Sequence, residues 1–277
     1  MGALCRLHEF GLLGKLARIS SVSGGSITAG VLALKWAKLQ QASSAKCFKD
    51  EVVKPILGIA SHTIDIPAVL WGLILPGGVS GRIAHYYREY LFGRATLQDF
   101  PDTPLFVLNA TNLQSGVLWR FTKLFMGDYR IGIIKNCKLE VAVAVGASSA
   151  FPPVLSPVVL KFKESDYKGE TGMDLQGPAF RTKVFISDGG VYDYLGLESA
   201  YKKYKTILVS DGDAKTDAEA EPKRGWLLHT LRVLTVIDNQ VGSLRKRGLI
   251  AAYEADLRRG AYGESEVKWQ NMVSRED

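Results

Sequence analysis

An α/β domain, a three-layer α/β/α arrangement with a mostly parallel central sheet, is the fold the sequence predicts from three observations. Short apolar or β-branched runs recur at residues 104–110, 158–162, 183–187 and 206–210, separated by longer segments. An early strand candidate passes directly into an Ala/Leu-rich helix candidate. The chain has 277 residues, 47% apolar and 23% charged, which suffices to bury one large core. Strands alternating with helices call for a sheet covered on both faces.

Residues 4–16 read as a helix, with Leu4, Leu7, Leu12 and Leu13 near helical spacing and Gly11 and Gly14 marking its end. Residues 17–21 form a strand candidate, and residues 26–41 (SITAGVLALKWAKLQQ) a helix. From residue 47 to 100 the pattern is irregular and broken by Pro55, Pro67 and Pro76, as in a cap or insertion. Its apolar run, residues 66–75 (IPAVLWGLIL), is half the length a bilayer requires and fits an interfacial cap or a buried piece of the insertion. Residues 104–110 (PLFVLNA) read as a buried strand, and residues 139–149 are Ala/Val-rich. Strands follow at residues 158–162, 183–187 (KVFIS) and 206–210 (TILVS). A charged loop spans 215–223, and residues 227–259 hold one or two helices. Beyond Gly260 no pattern is evident.

A formal charge of +7 suits anionic surfaces. No zinc finger, RNP motif or long arginine run accompanies it, so nucleic acid is not the expected partner. The cluster Arg245-Lys246-Arg247 fits either a solvated helix face or contact with acidic headgroups. Cys5, Cys47 and Cys137 are odd in number and far apart, which fits a reducing compartment and offers no metal site. Met1-Gly2 lacks the Ser or Thr that myristoylation needs, since Arg6 stands there. With no apolar leader run, the expected location is cytoplasmic, with peripheral membrane contact.

The chemistry concentrates at Ser21-Val22-Ser23-Gly24-Gly25-Ser26, a strand-to-helix turn. A serine hydroxyl becomes a nucleophile when held exposed beside a base, and such a turn achieves this if small residues flank it. Ser23 is then the nucleophile, Ser21 replaces the first glycine of G-x-S-x-G, and Gly25 fills the last place. The Gly24 N–H would be an oxyanion donor at the helix start. A helix cap with Ser26 as the N-cap residue is the competing reading. A phosphate cradle lacks its Lys-Ser/Thr pair.

Ser23, Asp188 and His229 satisfy the chain order of an α/β-hydrolase triad, but only 22 residues precede Ser23, too few for that fold. His8, His62 and His85 have no catalytic context. A serine–aspartate pair remains, with two aspartates competing at strand ends: Asp188 in Ser187-Asp188-Gly189-Gly190 and Asp211 in Ser210-Asp211-Gly212. Asp213 suggests a calcium loop with Asp211, but Lys215 and Thr216 break that pattern.

With SVSGGS and SDGG in that order, the sequence resembles the patatin-like phospholipase family, whose members use a Ser–Asp dyad. The likeness extends through ATNLQSGVLWRF (110–121), MGDYRIG (126–132), ASSAFPPVLSP (147–157), FISDGGVYDYLGLE (185–198) and DNQVGSLRKR (238–247), and covers residues 2–262. The family domain is accordingly expected over 1–262, with 47–100 as cap and 263–277 as an irregular tail. The resemblance implies Ser23 as nucleophile, Asp188 as general base flanked by Gly189 and Gly190, no cofactor or metal, and lipid esters as substrate. Asp211 is left as a structural turn. Tyr194 departs from the Asn that relatives prefer. The family's glycine-rich oxyanion loop precedes its first helix, whereas this sequence starts inside that helix. The resemblance therefore implies impaired turnover or, as the rival reading, an inactive lipid-binding pseudoenzyme. A start codon assigned too far downstream or a truncated gene would account for this.

Overall fold

A computed structural model describes residues 1–42, 44–61, 78–152, 155–169, 171–212, 218–221 and 225–264. The chain divides into two compact units, Met1–Gly196 and Leu197–Asp277. The apolar run at 66–75 lies outside the described residues, as does most of the expected loop at 215–223.

The first unit opens with helix α1 (Gly2–Glu9), a 3-10 turn (Leu13–Lys15), strand β1 (Arg18–Val22) and helix α2 (Gly24–Leu34), followed by α3 (Trp36–Gln41). The predicted helix over 26–41 thus breaks in two at Lys35. Residues expected to be irregular are largely helical: α4 (Ala45–Phe48) runs through a π turn into α5 (Lys54–Ser61), and α6 (Gly78–Tyr87) ends in a second π turn. Next come β2 (Leu105–Asn112), β3 (Val117–Phe121), β4 (Phe125–Asp128), β5 (Gly132–Lys135) and helix α7 (Val141–Ser148). The unit closes with β6 (Val158–Lys161), α8 (Pro178–Arg181), β7 (Lys183–Asp188) and α9 (Gly190–Asp193).

The seven strands form one sheet, and it is not the mostly parallel sheet that the alternation of strands and helices suggests. The order is β5-β4-β3-β2-β7-β6, with β1 also on β2. Among the described residues of this sheet, only β1 and β2 pair in parallel; the other five pairings are antiparallel. The physical reason lies in the connections. Between β2 and β5 the strands are joined by turns of three or four residues (113–116, 122–124, 129–131), and a link that short closes only an antiparallel pair. A parallel pair needs a crossover, which the helical stretch between β1 and β2 supplies.

Strand β2 is the organising element. From Phe106 onward every residue is buried, so both faces are covered, as its apolar continuity suggests. Helices α2 and α7 pack on it and on each other. Both are apolar almost all round, which is how a fully buried helix reads. By contrast, β6 alternates buried and exposed residues at the sheet edge.

The second unit contains α10 (Glu198–Tyr201), β8 (Thr206–Asp211), the long helix α11 (Trp226–Glu254) and β9 (Arg259–Glu264). β8 and β9 pair in parallel, with α11 between them in sequence. β9 falls where the sequence shows no pattern.

Candidate active site

Strand β1 ends at Val22, α2 starts at Gly24, and Ser23 between them takes φ 51° and ψ −127°. A side chain in that region costs about 1–3 kcal/mol and persists only where the surroundings over-determine it. Ser23 stands at the N-cap position yet makes no capping hydrogen bond. The capping alternative therefore does not describe this turn. Ser26, its expected N-cap residue, lies within α2 and is fully buried. Ser23 is half-buried, and Gly24 and Gly25 are exposed.

The surroundings that hold the turn are polar and buried. Ser21, in the place of the usual first glycine, bonds its hydroxyl to that of Ser26 at 3.0 Å and has the Val107 carbonyl as a second acceptor at 3.3 Å. Asn109, fully buried in β2, donates its side-chain amide to Ser20 Oγ at 2.8 Å and to the Ser21 carbonyl at 2.9 Å. Ser20 in turn donates to the Gly196 carbonyl at 2.6 Å. These bonds lock the end of β1 against the middle of β2.

Asp188 is the last residue of β7 and is 1% exposed. Its N–H donates to the Ala150 carbonyl at 2.9 Å, and its carbonyl accepts from Thr111 Oγ1 at 2.7 Å. Its Oδ1 accepts the Gly190 N–H at 2.7 Å, which orients the carboxylate. Gly189 has no room for a side chain: a Cβ there would lie 2.4 Å from the Asn109 carbonyl oxygen and 3.1 Å from Val22 Cγ1. The aspartate turn therefore packs directly on the last residue before Ser23.

The register explains this meeting. β1 and β7 share one edge of β2, approaching from opposite directions. The parallel pairing of β1 ends at Val22↔Asn109, and the antiparallel pairing of β7 ends at Asp188↔Ala110. Asn109 and Ala110 are consecutive, so the two strand ends abut there. Ser23, Gly24, Asp188 and Gly189 gather at that junction, with Ser21 and Gly25 flanking it.

Asp211 ends β8 in the second unit, where the Tyr262 hydroxyl donates to it at 2.5 Å. Burial and this bond push the Tyr262 phenol well up. Among the described histidines, His8 is buried and bonded to the Ala42 carbonyl at 2.9 Å, while His85 and His229 are exposed. Among the described residues no three His, Cys, Asp or Glu side chains gather as a metal site requires.

Several site residues escape sequence reasoning. Asn109 and Thr111 carry a signal, since a polar residue inside the buried run PLFVLNATN needs a partner. Tyr87 on α6 carries none. It is buried, and burial is the main cause that pushes its phenol up. The negative charge of Asp188 acts in the same direction, and a hydrogen bond with Ser149 acts against it.

The family model for patatin-like phospholipase matches residues 1–201. The chain belongs to the patatin-like phospholipase family. The resemblance drawn from the motifs holds at that level. No match was found among curated proteins. The matched stretch contains both turns and ends close to Gly196, where the first unit ends. A patatin-like phospholipase domain points to lipid acyl hydrolysis and a lipid substrate. Among the described residues no helix is long and apolar enough to cross a membrane.

Proposed function

We propose that the chain hydrolyses acyl esters of phospholipids or related lipids through a dyad of Ser23 and Asp188. Ser23 Oγ attacks the ester carbonyl while Asp188 takes its proton, forming a tetrahedral oxyanion. Collapse breaks the ester C–O bond, and the leaving alkoxide recovers the proton from Asp188. Water then attacks the acyl-Ser23 carbonyl, giving its proton to Asp188, and the fatty acid leaves as Ser23 is reprotonated. The start of α2 contributes N–H groups without intrahelical acceptors, the Gly24 N–H first among them, as donors to the oxyanion. The exposed Gly24 and Gly25 leave that side of the turn open to substrate.

One observation carries this reading. A serine held at a positive φ, its hydroxyl unused as a cap, stands where the strand ending in a buried, oriented aspartate abuts its own. Ser23→Ala removes the nucleophile and is expected to abolish p-nitrophenyl ester cleavage by this chain. Cleavage retained at the parent rate overturns the assignment. A folded parent chain that binds lipid vesicles but turns over no ester identifies a lipid-binding pseudoenzyme instead.

A further inference from the structure

Beneath the serine turn lies a chain of buried hydroxyls that the reaction does not itself use. Ser26 Oγ on α2 and Ser148 Oγ at the end of α7 are 2.7 Å apart, and both residues are fully buried. Ser148 Oγ donates to the Asn109 carbonyl at 2.6 Å. Ser21 Oγ joins the chain at 3.0 Å from Ser26.

Each hydroxyl has a single proton, which fixes the direction of the chain. Ser148 spends its proton on the Asn109 carbonyl, so it can only accept from Ser26. Ser26 has then spent its own, so its bond with Ser21 draws on the Ser21 proton, for which the Val107 carbonyl at 3.3 Å is the competing acceptor. The order is Ser21 to Ser26 to Ser148 to Asn109.

Ser148 also serves the other turn. Its backbone carbonyl accepts the Gly189 N–H at 3.2 Å, one residue past Asp188, and its second neighbour Ala150 accepts the Asp188 N–H. Ser148 is thus bonded to the serine helix through its side chain, to β2 through its proton, and to the aspartate turn through its main chain.

We propose that Ser148 is a positioning residue that sets the separation of Ser23 and Asp188. This rests on the dyad proposed above. α2 carries Ser23 at its start, β7 carries Asp188 at its end, and a proton handed between them needs hydrogen-bond distance. Two turns on separate strands have no covalent reason to stay in register. The Ser148 hydroxyl ties α2 to the β2 residue that the aspartate turn packs on, while its carbonyl fixes that turn. A displacement of about 1 Å at a reacting pair costs on the order of 10²-fold in rate.

The test uses Ser148→Ala, which deletes the hydroxyl and leaves the carbonyl in place. With a monomeric short-chain ester, kcat is expected to fall about 10–100-fold with KM within twofold of the parent, because only the reacting pair is disturbed. Ser148→Thr, which keeps a hydroxyl, is expected to recover most of the loss. Ser26→Ala should lower kcat similarly, and the double variant should be no slower than the slower single, since both cut one chain. Thr122→Val at the β3–β4 turn removes a buried hydroxyl bonded to the Phe125 carbonyl at 2.6 Å, and it should lose stability without losing kcat. A folded Ser148→Ala with kcat within twofold of the parent overturns the inference. So do additive losses in the double variant, or a Thr122→Val loss equal to that of Ser148→Ala. If Ser23→Ala also retains full activity, the dyad itself fails, which is a separate result.

Discussion

Two strands of this chain end in nearly the same peptide, FISDGG at β7 and LVSDG at β8, and the two aspartates differ in everything but sequence. Asp188 is fully buried, its main chain tied to Ala150 and Thr111 and its Oδ1 held by the next turn. Asp211 takes the Tyr262 hydroxyl and sits in a two-stranded parallel pair. The contrast extends to the following glycine. A Cβ at Gly189 would collide with the Asn109 carbonyl, whereas one at Gly212 would meet nothing within 4 Å. A strand-end Asp-Gly is a local turn signal, and its role is decided by which strand end comes to meet it. β7 lies on the same edge of β2 as β1; among the described residues β8 pairs with β9 alone.

The largest effect that separates the two is removal of the charge. Asp188→Asn should lower kcat/KM by about 10²–10⁴-fold, the usual contribution of a general base, while Asp211→Asn stays within twofold. Steady-state hydrolysis of a soluble ester measures both. Equal losses in the two variants would erase the distinction.

A smaller effect separates the glycines. Gly189→Ala must push the aspartate turn away from β2, and overpacking of this kind costs about 1–3 kcal/mol with a loss of turnover. Gly212→Ala has open space and should remain within about 0.5 kcal/mol of the parent. Thermal melts of the two variants check this. A Gly189→Ala protein as stable and active as the parent would contradict the close packing at the junction.

The smallest effect concerns alkaline stability of the β8–β9 unit. Tyr253, which donates to the Ile207 carbonyl at 2.7 Å, has its phenol pushed up to about 12, mainly by burial. Tyr262 moves the same way. A phenol with a raised folded pKa keeps its proton where the unfolded chain loses it. Its contribution is complete below about pH 10 and disappears as pH rises through the folded value of about 12. Melting of the Leu197–Asp277 unit should therefore weaken between pH 10 and 12, and less steeply in Tyr253→Phe. No change in slope would contradict the burial of that hydroxyl.

Much of the candidate site is legible in the sequence, while the direction of the sheet strands is not. Ser23 and Asp188 stand out because glycines and short side chains cluster where chemistry needs a tight turn. β2, β6, β7 and β8 are legible as apolar runs, and β1 as a short strand candidate ahead of a helix. What the sequence hides is direction. Whether β7 runs with or against β2 depends on the route from β6, and no residue in KVFIS records it. β3, β4 and β5 are four or five residues long, too short for alternation to register against Gly127 and Gly132. The hydroxyl chain is hidden for another reason: Ser21, Ser26 and Ser148 read as small residues in turns and helices. Only packing α2 on α7 turns them into a network.

The account stands or falls on whether Ser23 is activated, and by which aspartate. The most direct measurement is the rate at which a fluorophosphonate probe labels the parent chain, Ser23→Ala, Asp188→Asn and Asp211→Asn. The account predicts labelling of the parent and of Asp211→Asn at rates within twofold, a fall of at least about 10²-fold in Asp188→Asn, and none in Ser23→Ala. Labelling of Asp188→Asn at the parent rate, or of Ser23→Ala at any comparable rate, would contradict it.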